Sequence, residues 1–283
     1  MPSPPPPDAF WEFERAGWER AAASYDECWT DTRLFVEPLL DAAGVAAGSR
    51  VLDVACGPGY VSEAAVARGA DPVGVDVSAA MVEAARARRP GLTFVVGDAQ
   101  RLPFADESFD AVTMNFGILH LSQPEAAVAE ARRVLIPGGR FAFTAWVEEG
   151  NAAAEIVDGA VAANALPVEL PEGPPFYRFA DADECRRTLA EGGFGAGSVR
   201  TETIAATWRV PTAELLFEAE IRAGVRTGTV VRAQPPDRLQ AIRDAIVAGA
   251  RQYAGGGELA LPIVARVCAG VRSPASPGRA EAA

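Results

Sequence analysis

The chain has 283 residues, 49% of them hydrophobic and 23% charged, and a formal net charge of -12. That balance fits a globular protein with a sizeable core, and no apolar run reaches the ~18 residues expected of a membrane-spanning helix. The acidic surface repels phosphate backbones and anionic lipid, so it disfavours nucleic-acid and membrane partners and leaves a small molecule as the expected one.

Residues 1–7 are Pro-rich and are expected to be disordered, and they carry neither the basic segment nor the apolar core of a signal peptide. From 8 to 44 the aromatics Phe10, Trp11, Phe13, Trp18, Tyr25, Trp29 and Phe35 suggest two amphipathic helices broken near Asp26–Asp31, forming a lid. Apolar strands then alternate with helical stretches: strands over 50–55, 72–77, 92–96, 109–114 and 140–146, and helices over 60–68, 79–89 and 124–135. The last helix is expected to stop at Pro137-Gly138-Gly139. This alternation predicts an α/β fold with a doubly wound, Rossmann-like sheet. After Glu148 the pattern loosens. A helix over 183–192 and a strand over 198–210 close a core spanning 45–210. A helical cap follows over 211–256, broken at Pro235-Pro236, then a final strand within 257–272 and a disordered tail over 273–283.

Cys28, Cys56, Cys185 and Cys268 are far apart and form no CxxC pair, which argues against zinc or a disulfide framework and fits a cytoplasmic protein. All 26 basic residues are Arg, as codon usage in a GC-rich genome would give.

The chemistry concentrates in Val51-Leu52-Asp53-Val54-Ala55-Cys56-Gly57-Pro58-Gly59, where a strand meets a helix. Gly57 and Gly59 permit a sharp turn and close backbone approach, and the helix behind them offers free N–H groups to an anionic ligand atom. The next strand ends at Asp76, placed to accept hydrogen bonds from two ribose hydroxyls. A nicotinamide site would call for Gly where Ser62 stands, and does not call for Asp53 within the strand.

Val51–Gly59 resembles motif I of class I S-adenosylmethionine (SAM)-dependent methyltransferases, with Ala55 in the place of a frequent Gly. Asp76–Met81 resembles the ribose-binding loop, and Phe94–Asp110 the adenine-binding segment. With Leu119-His120-Leu121 and Arg133–Gly139, the motifs resemble the UbiE-like methyltransferase type 11 group over residues 45–147. The resemblance implies a seven-stranded sheet whose last strand is antiparallel, and SAM as cofactor. It implies that Gly57, Gly59 and Ala55 lie under its methionine part and that Asp53 holds the amino group. Asp76 and Val77 would meet the ribose, Met81, Asp98 and Ala99 the adenine, and Asn115 and Phe116 would stand beside the sulfonium.

His120, the chain's only His, has two readings: a general base, or a structural residue tying its loop to the next helix. The acceptor lining implied by the family places Tyr25, Trp29, Trp146, Phe176, Tyr177 and Trp208 in the site, with Phe179, Phe217 and Arg222 as further candidates. Such a lining suits a small apolar or aromatic molecule, such as a quinone-like or secondary-metabolite acceptor. Arg222, Arg226 and Arg232 have two readings, contact with an anionic group of the substrate or a solvated helix face, and the solvated face is the favoured one. No metal is expected, because strand four is followed by Asn115-Phe116-Gly117-Ile118-Leu119-His120 without an acidic cluster. The sequence leaves open O, C or N as the methylated atom, a monomer or homodimer, and the alternative of a SAM-binding protein without methyl transfer.

Overall fold

The computed structural model describes residues 8–273. The expected disorder of residues 1–7 and of the tail beyond Ser273 lies outside the described residues. Helix α1 (Ala9–Ala21) opens on Asp8, whose carboxylate accepts a hydrogen bond from the Trp11 backbone N–H at 2.7 Å. The two-helix expectation for this region is corrected. The chain breaks at 22–24, then runs through α2 (Tyr25–Cys28), a 3-10 turn (Asp31–Phe35) and α3 (Val36–Ala42). After α2 the Thr32 hydroxyl donates to the Trp29 carbonyl at 3.0 Å and competes with the helical ladder there.

Strands β1 (Arg50–Val54), β2 (Asp71–Asp76), β3 (Thr93–Val96), β4 (Phe109–Met114) and β5 (Leu135–Trp146) are joined by α4 (Tyr60–Ala67), α5 (Ala79–Arg88) and α6 (Pro124–Val134). Then come α7 (Ala152–Asn164), α8 (Ala182–Glu191), β6 (Arg200–Val210), α9 (Glu214–Ala223), α10 (Arg226–Arg232), α11 (Pro236–Ala250), β7 (Ala254–Gly255) and β8 (Glu258–Val271). The sheet order is β3-β2-β1-β4-β5-β8-β6, with the two-residue β7 pairing on β8. Strands β1 to β5 pair in parallel, and β8 is antiparallel to both β5 and β6, so the doubly wound sheet with an antiparallel last strand is present. Leu52, Val112, Phe141 and Phe143 on the central strands are fully buried and anchor the core. The strand order reverses beside β1, so the crevice for a ligand opens at the C-terminal ends of β1 and β4.

Three departures matter. Strand β5 begins at Leu135 and runs through Pro137-Gly138-Gly139, with a register shift against β4 between Phe109 and Ala111. The turn is absorbed into the strand because Gly138 N–H donates to Arg272 O and Arg272 N–H to Gly139 O. Helix α7 was not anticipated; its Ala-rich sequence is capped by Asn151, whose side-chain oxygen accepts from Ala154 N–H at 3.3 Å. It packs on α9 and α11. The 211–256 region breaks at Gly224 as well as at Pro235. Among the described residues, no helix is long and apolar enough to cross a membrane.

Candidate active site

A cavity of about 430 Å³ opens at the C-terminal ends of β1, β2 and β4, within the size range of small-molecule sites. Its floor is the β1–α4 turn. Ala55 sits in the left-handed region at φ 53°, and Gly57 at φ 50° has nothing within 4 Å of where a Cβ would stand. Both line the cavity. Gly59 does not; it begins α4 at φ 87°, and a Cβ there would lie 2.8 Å from the Phe94 ring, so it serves the turn and its packing.

Asp53 is fully buried and does not line the cavity. Its Oδ2 accepts from Ser62 N–H at 3.0 Å and Ser62 Oγ at 2.7 Å, while Oδ1 has no partner. Burial pushes its carboxyl up to about 7, against the Ser62 hydrogen bonds. Asp76 closes β2. Its Oδ2 accepts from Gly57 N–H at 2.8 Å and its Oδ1 from Ser78 N–H at 2.9 Å, so one carboxylate fixes both glycine loop and helix start. Burial pushes it up to about 6 in spite of these bonds. Val77, Met81, Asp98 and Ala99 also line the cavity. Met81 is buried, and its backbone N–H is capped by Ser78 Oγ at 3.1 Å.

At the end of β4, Asn115 and Phe116 are locked by one hydroxyl. Thr144 Oγ1 donates to Asn115 Oδ1 at 2.7 Å and accepts from Phe116 N–H at 2.7 Å. Asn115 Nδ2 donates to Thr32 O at 3.0 Å. Phe116 holds a left-handed backbone at φ 57°, and its ring stacks on Trp146 at 4.0 Å between centroids. Such strain on a bulky residue is characteristic of functional sites.

Tyr25, Trp29, Trp146, Phe176, Tyr177 and Trp208 all line the cavity. Trp208 Nε1 donates to Thr30 Oγ1 at 2.8 Å, and Trp29 Nε1 to Ala223 O at 3.4 Å, so β6, α9 and the N-terminal segment hold each other around the space. Phe179, Phe217 and Arg222 do not line it. Phe179 is buried edge-on against Phe143, and Arg222 pairs with Glu27 at the surface.

The solvated-face reading of the α9–α10 arginines is corrected for two of them. Arg232 donates to the carbonyls of Glu220, Ile221 and Gly224 at 3.0, 3.1 and 3.0 Å, capping α9. Arg226 lines the cavity and donates to Glu14 Oε1 at 2.5 Å and Leu119 O at 2.7 Å. Glu14 Oε2 lies 2.9 Å from His120 Nδ1. Glu14 is 3% exposed, and despite the burial penalty the charges of His120 and Arg226 and their hydrogen bonds hold its carboxyl below the usual range. His120 also packs edge-on against Trp18 at 4.7 Å.

Reading the sequence missed Trp11, Glu14, Asp31, Asp158 and Glu220, all cavity-lining. Trp11 Nε1 donates to Asp98 Oδ2 at 3.0 Å. Asp31 is 5% exposed with Oδ1 unpartnered, and burial pushes it up to about 7. Nothing in the local sequence distinguishes these carboxylates from surface ones; only the fold turns them inward.

Residues 52–143 match the family model described as a methyltransferase domain. Over 109 residues the chain is 47% identical to the demethylmenaquinone methyltransferase of Renibacterium salmoninarum, covering 38% of this chain and 46% of that protein. Over 108 residues it is 50% identical to that of Beutenbergia cavernae, covering 38% and 45%. The chain thus spans under half the length of the curated relatives it matches. Among solved structures, YcgJ of Bacillus subtilis aligns with a TM-score of 0.54 at 20% identity, covering 84% of this chain and 97% of that one. A phosphoethanolamine N-methyltransferase 2 of Haemonchus contortus, solved with phosphomonomethylethanolamine and S-adenosylhomocysteine, aligns with a TM-score of 0.56 at 18% identity, covering 94% and 61%. These likenesses establish the fold.

Proposed function

We propose that this chain, built around a methyltransferase domain, transfers a methyl group from SAM to a small acceptor held among aromatic side chains. The observation that carries the reading is the convergence of Gly57, Asp76, Asp98 and the Asn115–Phe116 corner on one cavity that continues into the Trp29–Trp146–Trp208 chamber.

On the donor side Ala55, Gly57, Asp76, Val77, Met81, Asp98 and Ala99 face the cavity and support SAM as its occupant, whereas Asp53 and Gly59 stand outside it. The open space above Gly57 admits the methionine part, while Asp53, buried behind the cavity, fixes the start of α4 through Ser62 and supports the turn from beneath. Asp76 holds the ribose hydroxyls with Val77 beside it, and Asp98 and Ala99 meet the adenine while Met81 packs on it. Bound SAM supplies an already activated methyl group on a sulfonium. The protein therefore contributes alignment and exclusion of water, and proximity of this kind is worth several kcal/mol.

On the acceptor side, Phe116 and Trp146 form one stacked wall. His120 is the candidate base. An ionised Glu14 at Nδ1 favours the tautomer with the proton there and leaves Nε2 its lone pair, the arrangement a general base requires. The relatives named demethylmenaquinone methyltransferase make a quinone-like acceptor one candidate. The test is incubation with SAM and a panel of aromatic acceptors, with chromatography for S-adenosylhomocysteine. Stoichiometric product and methylated acceptor are expected; SAM binding without turnover on any acceptor would favour the alternative of a SAM-binding protein that transfers nothing.

A further inference from the structure

The acceptor chamber is lined by more carboxyl groups than a neutral ring calls for. Glu220 stands on α9, 8% exposed, and lines the cavity. The cation whose charge reaches it, Arg232, has its guanidinium committed to backbone carbonyls of the same helix end. Asp158 lines the cavity from α7, and Tyr177 Oη donates to its Oδ2 at 3.1 Å. Burial, with the charge of Asp158 added, pushes Glu220 up to about 8 against the charge of Arg232 and a hydrogen bond from the Gly228 N–H. Independently, Asp31 presents a carboxylate oxygen with no partner, buried in the wall of the same cavity. It sits one residue from Thr32, whose carbonyl accepts from Asn115 at the reacting end.

Glu220 and Asp31, both buried, are costly to ionise without a matched cation, and a cationic ligand offsets that cost, with the more exposed Asp158 adding its charge at the rim. Aromatic faces attract the same charge. Trp29, Trp146, Phe176 and Trp208 supply such faces. A metal ion is the poorer occupant: among the described residues no group of three or more His, Cys, Asp or Glu is placed to hold one. A neutral phenol or quinol offers a hydrogen bond but no charge to hold Glu220 ionised beside Asp158, whereas a cation does.

We propose that the acceptor carries a basic nitrogen, protonated when bound and anchored by Glu220 and Asp158 beside Tyr177, with Asp31 taking a second polar group nearer the Asn115–Phe116 corner. A protonated nitrogen has no lone pair, so it anchors the acceptor and the methylated atom is a different one. This inference rests on the methyltransferase reading above.

The test is calorimetry on the full chain saturated with S-adenosylhomocysteine. The ligands are phenethylamine, tryptamine and 1-aminoindane, each paired with its uncharged counterpart 2-phenylethanol, tryptophol or 1-indanol. Amines are expected to bind at least about tenfold tighter than their alcohols, as a desolvated charge pair provides. Glu220→Gln should weaken the amines about tenfold and the alcohols less than about threefold, and Asp158→Asn, at a more exposed position, should act in the same direction less strongly. Alcohols that bind as well as amines, amines that do not bind, or a Glu220→Gln loss equal for both classes would each overturn the proposal. Unchanged S-adenosylhomocysteine affinity in each variant reports intact folding. Failure of the unaltered chain to bind SAM or S-adenosylhomocysteine would instead count against the methyltransferase reading itself.

Discussion

Trp11 Nε1 donates to Asp98 Oδ2 at 3.0 Å, joining α1 to the residue just beyond β3 that the adenine is proposed to meet. Asp98 Oδ1 is taken by the Gln100 N–H at 2.8 Å. A carboxylate offers about four lone-pair sites, so Oδ2 keeps room for an adenine amine. Asp98→Ala is expected to raise the SAM dissociation constant about tenfold or more, the cost of a lost charge-assisted hydrogen bond. Trp11→Phe keeps the ring and loses only the donor, so a rise of about threefold is expected. Isothermal titration checks both. A Trp11→Phe variant that binds SAM more tightly would show that α1 competes with the cofactor for Asp98 and does not support it.

The Glu14–His120–Arg226 cluster ties α1, the loop after β4 and α10 into one buried set. Arg226→Met removes the cation and leaves Glu14 buried with His120 alone, so a loss of about 3 kcal/mol is expected in denaturant unfolding. His120→Ala should lower kcat by about 100-fold or more if the imidazole accepts the proton, with SAM affinity changed less than about threefold. Glu14 is the acid held below its usual range, so its contribution to stability is complete at neutral pH and is lost as pH falls through that lowered value. Acid unfolding of Glu14→Gln should accordingly be shallower than that of the unaltered chain. An unchanged kcat in His120→Ala would make the residue structural.

The donor half of this site was legible because its residues are strung along a short strand–turn–helix stretch. Gly57, Asp76 and Asp98 each fall at a strand end or turn, where spacing alone fixes their position, whereas Asp53 lies within β1 and faces Ser62 rather than the cavity. The parallel strands were also readable, since buried parallel strands are continuous apolar runs, and Phe109–Met114 has the boundaries its pattern predicts; the antiparallel Glu258–Val271, whose burial largely alternates along the strand, does too. The acceptor half was legible only through its aromatics. Glu14, Asp31, Asp158 and Glu220 come from α1, a 3-10 turn, α7 and α9, and only tertiary packing faces them inward. Arg226 and Arg232 follow the same logic: on a helix wheel they look solvated, yet both guanidiniums are spent on carbonyls and a buried carboxylate. Helix α7 escaped notice because its Ala-rich sequence carries little amphipathic contrast, and its cap is a single Asn.

Asp76 gives SAM binding a pH signature. Burial raises its carboxyl to about 6, so the empty site holds the proton longer than an unfolded chain does. Below that value the carboxylic acid is the prevailing form, and ribose hydroxyls donate less favourably to it. SAM affinity is therefore expected to rise as pH increases through about 6 and to level off above it. The stability of the unliganded chain moves the other way, declining as pH rises from the ordinary Asp range through about 6, because the folded state is then the better proton binder. Asp76→Asn should remove the step and weaken SAM throughout. Titrations at closely spaced pH values, with proton uptake followed in two buffers, check the sign. Affinity that falls across this interval would contradict a carboxylate acting as acceptor for the ribose.

Gly57 separates folding from binding. Its φ of 50° makes an added side chain strained by about 1–2 kcal/mol. Yet a Cβ there would meet nothing within 4 Å, because it would point into the open floor of the cavity. Gly57→Ala should fold with that modest loss and bind SAM about tenfold or more weakly, since the methyl group takes space assigned to the methionine part. Gly117 is the contrasting control. A Cβ there would lie 2.5 Å from the Ala55 Cβ, so Gly117→Ala must push the strained Ala55 turn aside and is expected to lose stability as well as binding. Thermal unfolding with and without SAM distinguishes the two variants. A Gly57→Ala chain that binds SAM normally would move the methionine part of the cofactor away from this turn.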